Sequence, residues 1–358
     1  MTQHLLGLEG EFAEADMPRL IRRSGMAEWC DGAVQILDRR QLPLVIEYLT
    51  CTSVDQVAAA IRDMAIQGAF SISIAAGYGL ALASGKPTSI AQLETAAAHL
   101  IATRPTGLAL RRVVNAALAA GKTAMAAGAD PTMAILALVD QAAAALARQG
   151  YETGRNACNL LPDGATILTH CFPDRSYAYM LLEAKRQSKN LTVICSETRP
   201  YLQGARLTAL CATELGFPTK VITDGMGGYL MRAGVIDHFI TAADRVCMDG
   251  TVCNKVGSYQ YALAAADTGR PYFVLRQSGP DIESATEKDI SVEMRSGDEV
   301  VTYMGQRTAP LAAEGLYPTF DIVPPRLISK IVTDRGVFAP DMIHTYRDAK
   351  VVVANTIA

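Results

Sequence analysis

After residue 165 the chain alternates between short apolar runs and longer helical stretches, and this alternation leaves few folds open. The runs are Thr166–Thr169, Leu191–Cys195, Thr219–Thr223, His238–Ala243 and Pro271–Leu275. Between and after them Ser176–Gln187, Gly204–Leu215 and Asn254–Asp267 carry helical periodicity. Strand, helix, strand at this spacing predicts a parallel sheet covered on both faces, because successive parallel strands need a crossover and a helix supplies it. Ligands of such sheets sit beyond the carboxyl ends of the strands, at the point where strand order reverses. The residues to inspect therefore follow each run: His170-Cys171, Ser196-Glu197-Thr198-Arg199, Asp224-Gly225-Met226-Gly227-Gly228, Asp244-Arg245 and Arg276-Gln277.

The first half has a different rhythm. Residues 28–50 read as short extended segments, with Trp29-Cys30-Asp31-Gly32 as a turn. Ser53, with Gln56 three residues on, predicts a capped helix carrying Val57, Ile61, Met64 and Ala65 on one face. Ala/Leu-rich helical stretches follow at 71–84, 89–102, 107–127 and 132–149, broken by Gly85-Lys86-Pro87 and Gly128-Ala129-Asp130-Pro131. A chain of 358 residues exceeds one ordinary domain. The turn Leu161-Pro162-Asp163-Gly164 divides it into an N-terminal extension (1–27), a mainly helical domain (28–160) and an α/β, Rossmann-like domain (161–358).

Charge and composition exclude several classes. A net charge of −3 without any basic block gives no drive toward nucleic acid or an anionic membrane. Residues 1–27 carry Glu9, Glu11, Glu14 and Asp16 and lack the basic and apolar regions of a signal peptide. The uncharged stretch Met64–Gly85 holds Gln67, serines and glycines, and reads as a buried helix of small residues, not a membrane span. The eight cysteines form no CxxC pair, the five histidines are scattered, and Cys247 and Cys253 have no matching partners. This predicts reduced intracellular thiols, with neither a disulfide frame nor a zinc site.

The candidate groups each carry two readings. Asp244 follows a buried run, where lost hydration would raise its pKa and suit it to general acid work; it can equally cap a turn or pair with Arg245 or Arg199. Cys171 can be a base or nucleophile if positive groups lower its pKa; it can equally be a small buried hydrophobe. His170 points to the opposite face of a strand and cannot orient it simply. Gly225-Met226-Gly227-Gly228 with Asp244 downstream suggests a dinucleotide site, but Leu230 stands where the fingerprint needs glycine. Asn254-Lys255 open a helical stretch, a place suited to phosphate, while Lys255 can also be a solvated charge. Arg104, in Arg104-Pro105-Thr106-Gly107, can reach a phosphate or carboxylate, or remain surface charge.

Several longer strings resemble one family. They are Ile61-Arg62-Asp63-Met64, Glu197-Thr198-Arg199-Pro200-Tyr201-Leu202-Gln203-Gly204-Ala205-Arg206-Leu207-Thr208, Ala243-Asp244-Arg245 and Asn254-Lys255-Val256-Gly257-Ser258-Tyr259. In this order, over roughly residues 30–340, the chain resembles the methylthioribose-1-phosphate isomerase family. That family is related to ribose-1,5-bisphosphate isomerases and to regulatory subunits of the translation-initiation nucleotide exchange factor. The resemblance implies an aldose–ketose isomerase of methionine salvage, a cytoplasmic homodimer using neither metal nor other cofactor, with a small sugar phosphate as its partner. It implies Asp244 as proton donor and Cys171 as catalytic cysteine. It implies Gln67, Gly68, Ala69, Arg104, Gln203, Asn254 and Lys255 at positions that bind the sugar phosphate.

Two departures bear on the substrate. The isomerases carry Arg-Gly-Ala-Pro where this chain has Gln67-Gly68-Ala69-Phe70. The lost guanidinium removes a charge-assisted bond of about 1.5–3 kcal/mol. After the cysteine the isomerases show Asn-Thr-Gly, whereas Cys171 is followed by Phe172-Pro173-Asp174-Arg175-Ser176-Tyr177, with a shorter stretch to Glu197. Pro173 and Asp174 suit a helix start, and Arg175 either replaces the missing charge or is solvated. The departures leave open 5-deoxyribose 1-phosphate or ribose 1,5-bisphosphate as substrate, and a non-catalytic protein sensing a sugar phosphate.

Overall fold

The computed structural model describes residues 12–85, 88–105 and 107–349. Residues 1–11 of the N-terminal extension, Lys86-Pro87 of one helix breaker and Thr106 lie outside the described residues. The chain divides into two compact units, one ending at Arg148 and the other beginning at Gln149.

The first unit opens with an antiparallel sheet of β1 (Ala27–Cys30), β2 (Ala33–Leu37) and β3 (Tyr48–Cys51). Cys30 pairs with Ala33 across the two-residue loop Asp31-Gly32, whose φ angles of 47° and 85° are both positive. That backbone twist matches the twist of the flanking strands, and Asp-Gly adopts it readily. Helix α1 (Val54–Arg62) starts on the expected cap, with Ser53 and Gln56 bonding each other's backbone. It is followed by α2 (Ala69–Ala83), α3 (Ile90–Ala102) and α4 (Leu108–Ala126). Nearly all of α2 is buried. A Cβ on Gly77 would lie 2.7 Å from Val139, and one on Gly79 2.9 Å from Val57, so these glycines let neighbouring helices approach closely. Among the described residues no helix is long and apolar enough to cross a membrane. Met17, Leu20 and Ile21 of the N-terminal extension are buried.

Helix α5 (Pro131–Cys158) runs on past the predicted 132–149, so the division at Arg148 falls inside a helix and not at the Leu161–Gly164 turn. A Cβ on Gly154 would meet the backbone of Ser176, Tyr179 and Met180, so glycine is needed where the end of α5 lies on the next helix.

The second unit contains β4 (Thr166–Thr169), α6 (Asp174–Arg186), β5 (Thr192–Ser196), α7 (Ala209–Glu214), β6 (Thr219–Ile222), α8 (Gly227–Arg232) and β7 (His238–Ala242). It continues with β8 (Arg245–Val246), β9 (Val252–Lys255), α9 (Ser258–Asp267) and β10 (Tyr272–Leu275). Across the main sheet the order is Gly336–Phe338, Lys330–Thr333, β10, β7, β4, β5, β6, parallel except for the Gly336–Phe338 edge. The chain travels outward from β4 to β6, then returns to the other side of β4 as β7. The order therefore reverses between β4 and β7, the crevice position of doubly wound sheets. The fold is a mainly helical unit followed by a Rossmann-like unit.

One assignment differs. Asn254 and Lys255, read as opening a helix, lie on β9, all four residues of which are buried and paired antiparallel with Phe320–Val323. The helix begins at Ser258, after Gly257 at φ 106°. Pairing with a segment far along the chain overrides the local pattern.

All eight cysteines are reduced thiols. Burial pushes Cys158 up to about 11 and Cys195, Cys247 and Cys253 up to about 12. An unfolded chain ionises these thiols near pH 8.5. Their folded pKa values are raised, so the stability they contribute is fully present below that pH and is lost as pH rises toward 11–12. The melting temperature should be level from pH 7 to about 8.5 and fall by at least about 5 °C between pH 9 and 11. Calorimetry across that range checks this, and a level melting temperature at pH 11 would refute it.

Candidate active site

Cys171 and Asp244 are each the second residue beyond a strand, β4 and β7 respectively, and these two strands are paired neighbours. The loops around them are held by His170, which is 1% exposed. Its Nε2 lies 2.7 Å from the Val256 carbonyl and its Nδ1 2.5 Å from the Ser196 hydroxyl. A carbonyl only accepts, so Nε2 donates and Nδ1 accepts from Ser196. Burial lowers the imidazole's pKa, and the ring is neutral. A Cβ on Gly257 would lie 2.8 Å from Nε2, so glycine alone fits there at φ 106°.

Cys171 has φ 66°, in the left-handed region that disfavours side chains. Two threonines hold it there. Its N–H donates to Thr198 Oγ1 at 2.9 Å, and its carbonyl accepts from Thr208 Oγ1 at 2.5 Å. Thr198 is itself at φ 65°. The Asp224 carboxylate accepts from the N–H groups of both Thr198 and Arg199, at 2.8 and 2.7 Å. Thr208 closes a π-helical turn, Gly204–Thr208, a departure from the α-helix that recurs at functional sites. A Cβ on Gly204 would sit 1.8 Å from the Ser196 carbonyl oxygen, which excludes any other residue. Strained backbone at this density marks a site whose geometry outweighs local stability.

Burial pushes the Cys171 thiol up to about 11; Lys255 pulls it down and Asp244 pushes it up. The thiol is therefore protonated at neutral pH, contrary to the activated thiolate that the sequence left open. Asp244 also differs from expectation. It is exposed, because β7 ends at Ala242 and the chain has left the sheet by residue 244. Its backbone is fixed nonetheless, with its N–H bonded to the Cys253 carbonyl at 3.0 Å.

Lys255, Asn254, Gln203 and Arg175 of this unit are buried. Lys255 places its ammonium 4.9 Å from the centre of the Phe320 ring. Asn254 donates to Ser258 Oγ at 2.8 Å. Gln203 is 4% exposed, and its Oε1 accepts no hydrogen bond within the protein. A buried acceptor left unsatisfied is costly, so this oxygen is suited to a ligand hydroxyl. Arg175 is fully buried on α6 with Nη1 donating to Tyr179 Oη at 3.2 Å, so it is not a solvated charge. Within the Gly225–Gly228 run Gly227 serves packing: a Cβ there would lie 2.3 Å from the Tyr261 ring, whereas one on Gly225 would meet nothing within 4 Å.

Gln67, Gly68, Ala69 and Arg104 gather in the first unit around Met64. Gln67 Nε2 donates to the Met64 carbonyl at 3.2 Å, and Arg104 Nη1 lies 3.3 Å from Met64 Sδ. Arg104 Nε is buried and bonds no protein acceptor. Gly68, at φ 91°, precedes α2, whose first N–H groups stand outside the helical ladder. A helix start beside an arginine suits an anion. Arg39 supports the turn from beneath, donating to the Gln67 carbonyl at 2.5 Å and to Ser71 Oγ at 3.0 Å.

The sequence pattern marks Thr198 and Asp224 as lying beyond strands but gives them no role. It gives none to Thr208, whose tie to Cys171 spans 37 residues and leaves no local trace.

Comparison with known proteins agrees with this architecture. The Initiation factor 2 subunit family matches residues 65–340. A methylthioribose-1-phosphate isomerase of Pelotomaculum thermopropionicum is 36% identical over 87% of this chain and 89% of its own. The crystal structure of 5-methylthioribose 1-phosphate isomerase from Pyrococcus horikoshii superposes with a TM-score of 0.79 at 30% identity, covering 95% of this chain and 98% of that one. The translation initiation factor eIF-2B subunit delta from A. fulgidus gives 0.77 at 30% identity, covering 88% and 96%. The chain belongs to the Initiation factor 2 subunit family and, within it, to the methylthioribose-1-phosphate isomerase family of enzymes.

Proposed function

We propose that the protein is an aldose–ketose isomerase of methionine salvage, converting S-methyl-5-thioribose 1-phosphate to the corresponding ribulose 1-phosphate. The observation that carries this reading is the placement of Cys171 and Asp244 at matching positions beyond the two strands where sheet order reverses. Relatives named methylthioribose-1-phosphate isomerase support the substrate class.

In an aldose 1-phosphate the anomeric oxygen is esterified, so the ring cannot open as a free sugar's does. An acid must protonate the ring oxygen, and Asp244 is the group assigned to do so. It is exposed in the free protein, and the step requires that it carry a proton once substrate covers it. Ring opening leaves C1 electron-poor. Hydrogen then passes from C2 to C1, and the 2-hydroxyl loses its proton to the Asp244 carboxylate, which returns to its starting state. A neutral Cys171 thiol suits a hydride shift, where it lines the path of the migrating hydrogen; abstraction of the C2 proton would need the thiolate that burial disfavours. Gln67, Gly68, Ala69, Arg104, Gln203, Asn254 and Lys255 are the residues assigned to bind the sugar phosphate in this reading. The reading needs no metal or other cofactor and takes the protein as a cytoplasmic homodimer.

One observation favours a second reading. The Gln67 amide is committed to the Met64 carbonyl. It cannot reproduce the charged contact of the arginine found there in the isomerases, so phosphate grip falls to Arg104 and the start of α2. The same chemistry with weaker grip suits 5-deoxyribose 1-phosphate, ribose 1,5-bisphosphate or a sensor that binds without turnover.

Phosphorus and carbon NMR of the purified protein with methylthioribose 1-phosphate, 5-deoxyribose 1-phosphate, ribose 1,5-bisphosphate and ribose 1-phosphate separates these readings. Methylthioribose 1-phosphate should convert to its ketose, and Asp244→Asn and Cys171→Ser should each lower turnover by at least about 1,000-fold with the fold intact. Full activity in either variant contradicts the mechanism, and a thermal shift without turnover selects the sensor.

The thiol state is checked separately. Alkylation of Cys171, followed peptide by peptide, should accelerate about tenfold per pH unit up to at least pH 10. A plateau by pH 8 would return Cys171 to the role of base.

A further inference from the structure

Arg276 stands just beyond β10, one strand away from β7, and the chemistry above gives it no part. Its guanidinium holds several acceptors at once. Nη1 donates to the carbonyls of Ala243 and Asp244, at 3.1 and 3.2 Å. Nε donates to the Gly279 carbonyl at 3.0 Å, and Nη2 to Asp281 Oδ2 at 2.7 Å. Asp281 is 1% exposed, and the same Oδ2 accepts the Val246 N–H at 3.2 Å, while the Asp281 N–H donates to the Val246 carbonyl at 2.8 Å. The peptide segment carrying Asp244 is therefore clamped on both sides. The Cys253 carbonyl takes the Asp244 N–H, and Arg276 takes its carbonyl.

The clamp is itself built rigidly. The Arg276 N–H is bonded to the Val332 carbonyl at 2.8 Å, which continues the sheet. The turn that follows holds Ser278 and Gly279 at φ 70° and 69°, with Gly279 pressed against the Tyr346 ring. The place of the Asp244 carboxylate is set first by the backbone that carries it, and that backbone is held at both its N–H and its carbonyl.

We propose that Arg276 is a positioning residue for Asp244, fixing the peptide on which the carboxylate is carried, with Asp281 fixing the fork. The proposal rests on the reading of Asp244 as the acid. Lysine keeps the charge but cannot span the carbonyls of Ala243, Asp244 and Gly279 and the Asp281 carboxylate together, because its ammonium is a single point and not a planar fork. A misplacement of about 1 Å at a catalytic group costs on the order of 100-fold in rate.

The test uses the full-length protein with methylthioribose 1-phosphate and compares Arg276→Lys, Asp281→Asn and Asp244→Asn. Arg276→Lys should lower kcat about 10–100-fold, with KM changed less than about threefold and an unchanged folded fraction. The pH at which kcat falls through loss of the acid should move. Asp281→Asn should shift kcat and that pH in the same direction by less, and keeps the test open if the lysine variant folds poorly. If Asp244→Asn is silent while Arg276→Lys and Asp281→Asn show wild-type kcat and pH dependence, the positioning role is overturned and the isomerase reading stands. A kcat that falls only in proportion to folded protein overturns the positioning role equally. If Asp244→Asn is active, the reading of Asp244 falls, and with it the role of Arg276.

Discussion

The buried imidazole of His170 joins three segments that lie far apart in the chain. One nitrogen accepts from Ser196 at the end of β5, and the other donates to the Val256 carbonyl in the loop before α9. The bond to Ser196 is buried and that to Val256 partly so, and the ring itself is 1% exposed, so losing either would leave a polar atom of a buried ring unpaired. The packing around them admits no slack, since Gly257 must be glycine where it meets the ring. Cys171 follows directly in the chain and inherits a fixed origin. Its left-handed backbone, the two threonines bonded to it and the Asp224 carboxylate beneath Thr198 are all arranged relative to that anchor.

The two central side chains lie in contrasting environments. The Cys171 thiol is held neutral by burial, and Asp244 is exposed on a clamped backbone. In the proposed mechanism, a thiol that resists ionisation and a carboxylate dried by the substrate form a pair in which the proton moves at one residue. The other offers a polarisable, uncharged wall. The fixed geometry places its demands on the residues behind the two side chains: Gly204 and Gly257 admit no side chain, and Thr198 and Thr208 bond the Cys171 backbone.

Much of the fold is legible in the sequence because its signals are local. The Asp31-Gly32 hairpin, the Ser53 cap and the five apolar runs beyond residue 165 each occupy a few adjacent residues, and each lies close to where the pattern predicts it. The residues beyond those runs include Cys171, Asp244, Thr198, Asp224 and Arg276, which the structure gathers at the carboxyl edge of one sheet. What the sequence hides depends on distant partners. Asn254 and Lys255 are strand residues because Phe320–Val323 pairs with them, and Thr208 matters because it reaches Cys171. Arg175 is buried because Pro173 and Asp174 start α6 before it, turning it into the unit. The exposure of Asp244 follows from where β7 stops, a boundary that apolar patterning does not resolve.

In the proposed function the crevice between β4 and β7 holds the reacting carbons of a sugar 1-phosphate. A crystal structure of the Asp244→Asn protein soaked with methylthioribose 1-phosphate tests it directly. An intact sugar is expected, with C1 and C2 against Cys171 Sγ and the ring oxygen facing residue 244. Sugar density away from both residues, with the protein still active as an isomerase, would contradict it.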